Sequence, residues 1–308
     1  MMKAVRFDHY GDVDVLDVRE VARPEPGTAE VVVEVRAAGI NPGEAMIRRG
    51  VLHEVWPATF PSGQGTDFAG VVVAVGPGVD TVTVGEEVLG FTENRASQAE
   101  YVVVPASQLV DKPANMSWEV AGGLYVAGTT AYAAVRSIDL KPGDTVVVAG
   151  AAGGVGTIAV QLAKRSGATV IGIAGPANDE WLYAHGVIPV NYGDGLAERL
   201  RAVAPGHRID AFLDFFGGGY VELAVTGLGV APERIDTIID FAAAERFGVN
   251  SAGNADAADA AVLGELAALI GDGALEVPVS EVIPLADVQR AYRTLEHRHT
   301  RGKIVLRP

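Results

Sequence analysis

Three glycines at intervals of three follow a run of β-branched residues in the middle of the chain. The run 145–149 (TVVVA) leads into Gly150, Gly153 and Gly156, and apolar residues then recur at helical spacing from Val155 onward. A strand, a glycine turn and a helix N-terminus together present backbone N–H groups and a positive dipole end to a pyrophosphate. The spacing departs from G-x-G-x-x-G, so by itself the pattern also allows a glycine-rich turn that binds no nucleotide.

The sequence around this turn contains two regions with different secondary-structure patterns. Residues 1 to about 116 contain short β-rich runs broken by Pro-Gly turns, which favours a small, mostly antiparallel barrel. Strand candidates at 146–149, 170–173, 188–190, 211–214 and 235–239 then alternate with helical stretches, which indicates a parallel sheet covered on both faces. A helix over 122–138 is expected to break near Gly128.

The end of the chain returns to strand, with candidates at 279–284 and 303–306 and a helix between them. An alanine-rich helix is predicted before them over 255–271. The sequence therefore predicts an α/β protein in which a doubly wound, parallel-sheet domain is inserted into a β-barrel domain. The predicted bounds are 1–118 and 261–308 for the barrel domain and 119–260 for the inserted domain.

Composition excludes several classes of function. The 308 residues include 24 Lys and Arg against 39 Asp and Glu, a formal net charge of −15. That charge repels phosphate backbones and anionic lipid, so neither nucleic acid nor a membrane surface is expected as a partner. No cysteine is present, which removes disulfides, thiol nucleophiles and thiolate metal ligands. With no apolar run long enough to span a membrane and no signal peptide, a cytoplasmic protein is expected.

Five motifs occur in an order that resembles a known family. They are AAGINP at 37–42, GTDFAGVV at 65–72, GTTAY at 128–132, AGAAGGVG at 149–156 and GKIVL at 302–306. Together they resemble the zinc-independent quinone oxidoreductase (ζ-crystallin-like) branch of the medium-chain dehydrogenase/reductase superfamily. The resemblance implies a GroES-like barrel on the substrate side, a Rossmann domain for the dinucleotide, chemistry in the cleft between them, and a homodimer.

The same resemblance bears on zinc. Zinc-dependent members carry Cys where this chain has Asn41-Pro42, and Gly-His-Glu where it has Gly65-Thr66-Asp67. Because Cys is absent and no pair of His occurs here, no zinc site is expected. Without a Lewis acid, hydride from a reduced nicotinamide must go to a carbon that is already electrophilic. A quinone or an α,β-unsaturated carbonyl meets that condition.

The cofactor residues follow from the motifs. The strand expected to carry the ribose-binding acid ends in Ala174-Gly175-Pro176 with no carboxylate, which favours NADPH, with NADH as the alternative. The predicted cofactor-binding residues are Thr130, Ala152, Gly153, Gly154, Val155, Gly175, Asn178, Tyr192, Gly217, Asp240 and Phe241. Simpler interpretations stay open for some: helix capping for Thr130, and ordinary packing for Tyr192 and Phe241.

On the substrate side, the resemblance places Asn41 at the cleft, where its amide is expected to bond the substrate oxygen. Its alternative role is to form the turn before Pro42. The tyrosine that relatives carry after Arg-x-Gly is missing, and His53 is the candidate proton donor in its place, unless it is a solvated loop residue. Two other functions stay open: an enoyl reductase of a biosynthetic pathway, and a nucleotide-binding protein with little catalysis.

Overall fold

A computed structural model describes residues 1–308. Fourteen strands form it: Met2–Arg6 (β1), Asp17–Val21 (β2), Glu30–Gly39 (β3), Asp67–Val75 (β4), Glu87–Phe91 (β5), Tyr101–Pro105 (β6), Leu109–Asp111 (β7), Thr145–Ala149 (β8), Thr169–Ala174 (β9), Ile188–Asn191 (β10), Ala211–Asp214 (β11), Ile235–Thr237 (β12), Val279–Pro284 (β13) and Lys303–Arg307 (β14). The α-helices are Pro42–Arg48 (α1), Trp118–Gly122 (α2), Tyr125–Ser137 (α3), Gly154–Arg165 (α4), Asp179–Ala184 (α5), Leu196–Val203 (α6), Tyr220–Glu222 (α7), Phe241–Phe247 (α8), Ala260–Gly271 (α9) and Val288–Glu296 (α10).

The contacts divide the chain into two compact units. The antiparallel unit comprises Met1–Val126 and Asp259–Pro308, and the parallel unit comprises Ala127–Ala258. The first division lies later than the predicted one after residue 118, because α2 packs against β3 and β4 and so belongs to the antiparallel unit. The second lies two residues before the predicted start at 261.

The parallel unit contains one five-stranded sheet in the order β10-β9-β8-β11-β12, with every pair parallel. All five residues of β8 are buried, as expected for a strand covered on both faces. The chain runs from β8 through β9 to β10 and then returns to β11 on the other side of β8. That reversal is the topological switch point at which doubly wound sheets bind ligands, beyond the carboxyl ends of the strands.

The antiparallel unit is organised around β3. This ten-residue strand pairs antiparallel with β4, β6 and β14. β14 in turn pairs parallel with β13, so the last strands of the chain complete the sheet begun near its start. The valine-rich runs of β3, β4 and β6 supply one apolar core, in which Val31, Val33 and Val72 are fully buried.

Some predicted bounds differ from the structure. α3 runs through Gly128 without interruption, and the break lies instead at Gly123 and Leu124, between α2 and α3. The helix predicted from residue 255 begins at Ala260, because the Asp259 side chain accepts a hydrogen bond from the Ala261 N–H (2.8 Å) and caps α9 there. No helix in the structure combines the length and apolar character needed to cross a bilayer.

Candidate functional site

The glycine turn lies between β8 and α4 at the switch point of the parallel sheet. Gly150 adopts φ +73°, which favours glycine, and its carbonyl accepts a hydrogen bond from the Gly153 N–H (3.0 Å). Gly153 is the N-cap of α4 and has no side chain to cap the helix. The N–H groups of the first turn are therefore available to an anionic ligand, and the predicted residues Gly154 and Val155 are the first two of this helix.

Gly156 differs from the other glycines of the turn because helix packing, not ligand access, requires it to lack a side chain. A Cβ at this position would lie far inside van der Waals contact with the Gly150 carbonyl oxygen and close to the Ala151 backbone. Its lack of a side chain allows α4 to pack directly on the turn that precedes it. Ala152, the remaining predicted residue of the turn, is buried there.

The carboxyl ends of β11 and β12 are joined by a buried carboxylate. Asp214 Oδ1 accepts from the N–H groups of Phe216 (3.0 Å) and Gly217 (2.8 Å), and its Oδ2 accepts from Thr237 Oγ1 (3.0 Å). Thr237 Oγ1 accepts in turn from the Asp240 N–H (3.1 Å). Burial raises the pKa of Asp214 above its usual value. The Asp214 carboxylate therefore holds the loop after β11, which carries Gly217, and through Thr237 the loop after β12, which carries Asp240.

Asp240 and Phe241 begin α8. The Asp240 side chain accepts from the Ala243 N–H (3.1 Å) and caps the helix, and Phe241 is 54% exposed. Phe241 is therefore not a core residue, which was the alternative left open for it. Thr130 is buried within α3 at the start of the parallel unit.

The residues predicted to discriminate between the two nicotinamide cofactors follow the ends of β9 and β10. Tyr192 follows β10, is 59% exposed, and its hydroxyl oxygen lies 3.5 Å from where a Cβ of Gly175 would stand. The Asn178 amide donates to the Gly175 carbonyl (3.3 Å) and closes the turn. Arg199 of α6 donates to the carbonyls of Asn191 (2.8 Å) and Gly193 (3.3 Å), on either side of Tyr192.

The antiparallel unit holds a buried polar network centred on Glu44. The two carboxylate oxygens of Glu44 accept from the Asn41 N–H (3.1 Å), Asn41 Nδ2 (3.1 Å), the Thr66 N–H (3.2 Å), Gln98 Nε2 (3.2 Å) and the Tyr292 hydroxyl (2.6 Å). Gln64 Nε2 and Gln98 Nε2 both donate to the Tyr292 oxygen, at 3.0 Å and 2.8 Å. α1, α10 and the segments before β4 and β6 thus meet at one carboxylate.

Asn41 connects this network to a buried lysine. Its Nδ2 also lies 3.3 Å from Asp67 Oδ2, while its Oδ1 accepts from Lys303 Nζ at 2.5 Å. Lys303 Nζ donates as well to the Ile40 carbonyl (3.0 Å) and lies 3.9 Å from Asp67 Oδ2. The Asn41 amide is therefore fully engaged by side chains of its own unit, and Asn41 is also the N-cap of α1, which agrees with its alternative role in the turn before Pro42. Its bond to the substrate oxygen stays a prediction.

Burial governs the ionisation of these groups. It raises the pKa of Glu44 to about 7, with a smaller contribution from the charge of Asp67. It also raises the pKa of Asp67 and of Tyr292 and lowers the pKa of Lys303. Such shifts in a pre-arranged network are typical of functional sites.

His53 lies outside this network. Its side chain is 56% exposed, with Nδ1 2.9 Å from the Gly50 carbonyl and Nε2 2.8 Å from Glu54 Oε1. It lies in the turn that follows α1 and tilts toward the Tyr10 ring. The structure does not bring His53 together with Asn41, and its role as proton donor stays a prediction.

Comparisons with known proteins agree with this arrangement. The Alcohol dehydrogenase GroES-like domain matches residues 27–114, and the Zinc-binding dehydrogenase family matches residues 184–306. Quinone oxidoreductase 1 of Escherichia coli is 30% identical over 335 aligned positions that cover the whole of both chains. The chain belongs to the quinone oxidoreductase branch of the medium-chain dehydrogenase/reductase superfamily. As a member, it is an NAD(P)H-dependent oxidoreductase, with the predicted GroES-like and Rossmann domains confirmed.

Two solved structures extend the likeness to three dimensions. The E. coli quinone oxidoreductase complexed with NADPH has a TM-score of 0.83 at 27% identity and covers 99% of this chain and 100% of its own. An NAD-dependent alcohol dehydrogenase has a TM-score of 0.86 at 30% identity and covers both chains completely.

The residues of the glycine turn fit a dinucleotide. The uncapped start of α4 and the missing Cβ of Gly156 are what a pyrophosphate requires of a Rossmann turn. At the positions that correspond to zinc ligands stand Asn41 and Thr66, and the Lys303 ammonium bonds Asn41 directly. No cluster of three or more His, Cys, Asp or Glu in the structure could hold a metal ion.

Sequence reasoning missed most of the Glu44 network. One signal was available for Glu44: Asn41 and Glu44 have the spacing of a capping box, in which an N3 carboxylate bonds the N-cap N–H. No local pattern pointed to Tyr292 or Gln98, because they reach Glu44 from distant parts of the chain. Lys303 lies within a recognised motif, yet its position in that motif does not indicate that it contacts Asn41.

Proposed function

We propose that this oxidoreductase is a zinc-independent, NADPH-dependent reductase that delivers hydride to a quinone or to an α,β-unsaturated carbonyl. The observation that carries the proposal is the glycine turn, with an uncapped helix N-terminus on one side and no carboxylate at the tip of β9 on the other. When bound, the reduced nicotinamide supplies hydride. The residues of the chain bind the cofactor, orient the acceptor and supply donors to the oxygen on which negative charge develops.

The surroundings of Tyr192 support NADPH over NADH. Arg199 bonds only backbone carbonyls there, so no carboxylate neutralises its guanidinium charge. A 2′-phosphate beside Tyr192 could accept charge-assisted hydrogen bonds from this guanidinium. A ribose 2′-hydroxyl would instead need an acceptor such as a carboxylate. The NADPH held by the E. coli relative in its solved structure is consistent with this preference.

Absence of zinc ligands supports the choice of acceptor. An alcohol needs its oxygen polarised before hydride can leave the adjacent carbon, and the donor set around Asn41 offers no metal site for that. Quinones and conjugated carbonyls accept hydride without such activation.

The cytoplasmic location and the homodimer expected from the sequence are part of the same proposal.

Steady-state oxidation of NADPH at 340 nm tests the proposal, with 9,10-phenanthrenequinone and a simple enone as acceptors. We expect turnover with at least one acceptor and no response to a zinc chelator. A protein that binds NADPH with no turnover across both acceptor classes would contradict the reductase proposal and favour the nucleotide-binding alternative.

Cofactor preference needs its own measurement. We expect Arg199→Met to weaken NADPH binding about tenfold and to leave NADH binding unchanged, since one charge-assisted interaction contributes roughly 1.4 kcal/mol or more. Arg201→Met is the matched control, because Arg201 lies on the same helix and donates to the carbonyl of Gly227 instead. Equal losses for NADPH and NADH in the Arg199 variant would contradict this assignment.

A further inference from the structure

Five hydrogen-bond donors surround Glu44, and that number constrains its charge. A carboxylate has about four lone-pair positions and no proton to give, so it suits a site in which every neighbour donates. The neighbours of Glu44 are two backbone N–H groups, two side-chain amides and a hydroxyl. A protonated carboxyl group would direct its own O–H at one of these donors. All five of these contacts to Glu44 can therefore be kept only when Glu44 is ionised.

The two carboxylate oxygens of Glu44 accept different numbers of hydrogen bonds. Oε2 accepts from the Asn41 N–H, Gln98 Nε2 and the Tyr292 hydroxyl, the last at 2.6 Å. Oε1 accepts from Asn41 Nδ2 and the Thr66 N–H, at 3.1 Å and 3.2 Å. A proton taken up by Glu44 goes to Oε1, because protonation there disturbs two hydrogen bonds instead of three and leaves the short bond from Tyr292 in place. There the proton faces the Asn41 side-chain amide.

We propose that Glu44 is a positioning residue: its ionised carboxylate holds the Asn41 amide with Oδ1 on Lys303, and proton uptake at Oε1 releases that amide. The inference rests on the reductase function proposed above, with Asn41 on the substrate side as the sequence resemblance implies. Released from Glu44, Asn41 Nδ2 keeps only the 3.3 Å contact with Asp67. The orientation of its carbonyl then depends on Lys303 Nζ and Asp67 alone, without the bond to Glu44.

Other charged groups face Glu44 from each neighbouring element, and they place the transition near neutral pH. Asp67 of β4 disfavours the charged form, Lys303 of β14 favours it, and Tyr292 of α10 stabilises it by hydrogen bonding. On its own helix α1, Arg48 is engaged with Glu296 and lies over the Tyr292 ring. Because burial raises the pKa of Glu44 to about 7, Asn41 is held above neutral pH and released below it.

The side-chain amide of Asn41 can be followed directly in protein labelled with ¹⁵N-asparagine, its resonance being assigned by its loss in Asn41→Ala. We expect this resonance to shift with a midpoint near pH 7 in the wild type and to be flat in Glu44→Gln. In Tyr292→Phe, which removes a donor to the charged form, the midpoint should move to higher pH. Asn115 is the internal control, because its amide donates to a backbone carbonyl, that of Gly271.

The kinetic arm measures kcat/KM for the quinone against pH. We expect an acid limb with the midpoint of the Asn41 resonance, falling about tenfold for each pH unit below it. The limb should be absent in Glu44→Gln and displaced upward in Tyr292→Phe. A merely structural role for Glu44 would lower activity at all pH values without moving the limb.

The two proposals fail in different ways. An Asn41 resonance that does not titrate in the wild type, or that still titrates in Glu44→Gln or is unmoved in Tyr292→Phe, overturns the positioning role whatever the activity. A titrating resonance with no acid limb in an active enzyme also overturns it, because Asn41 would then not serve the reaction. A titrating resonance with no turnover on any acceptor overturns the proposed function and leaves the Glu44–Asn41 coupling established.

Discussion

At the residue scale, four carboxyl groups are buried, and each has hydrogen-bond partners. Asp214, Asp236, Glu44 and Asp67 are all buried, and each accepts hydrogen bonds from N–H or O–H groups. Such carboxylates cost stability when charged, and they order the loops that bond them. In both units these loops carry the predicted site residues.

Gly156 offers the most direct test of the nucleotide turn. We expect Gly156→Ala to abolish measurable NADPH binding and to lower the melting temperature, since its methyl group would be forced against the Gly150 carbonyl oxygen. Binding is measured by the quenching of nicotinamide fluorescence or by calorimetry. Gly264→Ala in α9 is the control, because its Cβ would meet only a Val110 methyl group at an ordinary 3.7 Å. Normal NADPH affinity in Gly156→Ala would contradict this account of the turn.

Asp236 should make stability depend on pH. Burial raises its pKa from 3.8 to about 7 in the folded protein, and its Oδ2 has no hydrogen-bond partner. Between these values the folded state retains a proton that the unfolded state has lost, so stability falls as pH rises and levels off above about 7. The shift corresponds to at most about 4 kcal/mol.

Urea denaturation of Asp236→Asn at several pH values measures this contribution. The free energy of unfolding of the variant, relative to wild type, should improve from pH 4 to about pH 7 and then level off. Asp80→Asn, which replaces an exposed carboxylate, is the control substitution. A difference that does not change with pH for Asp236→Asn would show that this carboxyl group does not titrate in the predicted range.

At the element scale, α1 and α10 are tied by a buried arginine. Arg48 is fully buried, donates to Glu296 at 2.8 Å and lies 5.2 Å from the centre of the Tyr292 ring. Glu296 is partly exposed and has a second partner in Arg49 (2.8 Å). The two ends of the ion pair are therefore unequal, which makes their removal unequal as well.

We expect Glu296→Gln to destabilise the protein by up to about 3–5 kcal/mol, because it leaves the buried Arg48 charge with only the more distant Asp12 carboxylate, at 3.7 Å. Arg48→Met should cost less, since Glu296 keeps Arg49 and the methionine fills part of the vacated space. Urea denaturation of the two single variants and the double variant measures both costs and their coupling. A larger loss for Arg48→Met would mean that packing of the long side chain outweighs its charge.

The elements of the parallel unit were largely predictable from sequence, and those of the Glu44 network were not. Strand, turn and helix periodicities of residues 145–165 reflect local rules, so the predicted strand at 146–149 differs from β8 by one residue. β12 ends at Thr237 instead of residue 239, because the Thr237 hydroxyl accepts from the Ile239 and Asp240 N–H groups and turns the chain. Tyr292 and Glu44 are 248 residues apart, and no periodicity reports a contact of that separation.

At the scale of the whole molecule, the net charge of −15 is a global repulsion that no single ion pair removes. Added salt should therefore raise the melting temperature between about 10 mM and 150 mM NaCl, over which the Debye length falls from roughly 30 to 8 Å. Differential scanning fluorimetry with an equal osmolality of sucrose as the control measures the effect. A melting temperature that falls with salt would mean that attractive surface ion pairs outweigh the repulsion.

The pairing of β14 with β3 also dictates an order of events during synthesis. Val305 and Leu306 pair with Gly39 and Ala38, so the strand that completes the antiparallel unit leaves the ribosome long after the strand it joins. The parallel unit, Ala127–Ala258, lies wholly between them and contains no such distant pair. A nascent chain can thus fold the dinucleotide-binding unit first. Until β14 is synthesised, the end of β3 that pairs with it stays unpaired, and Asn41 lacks its hydrogen bond from Lys303.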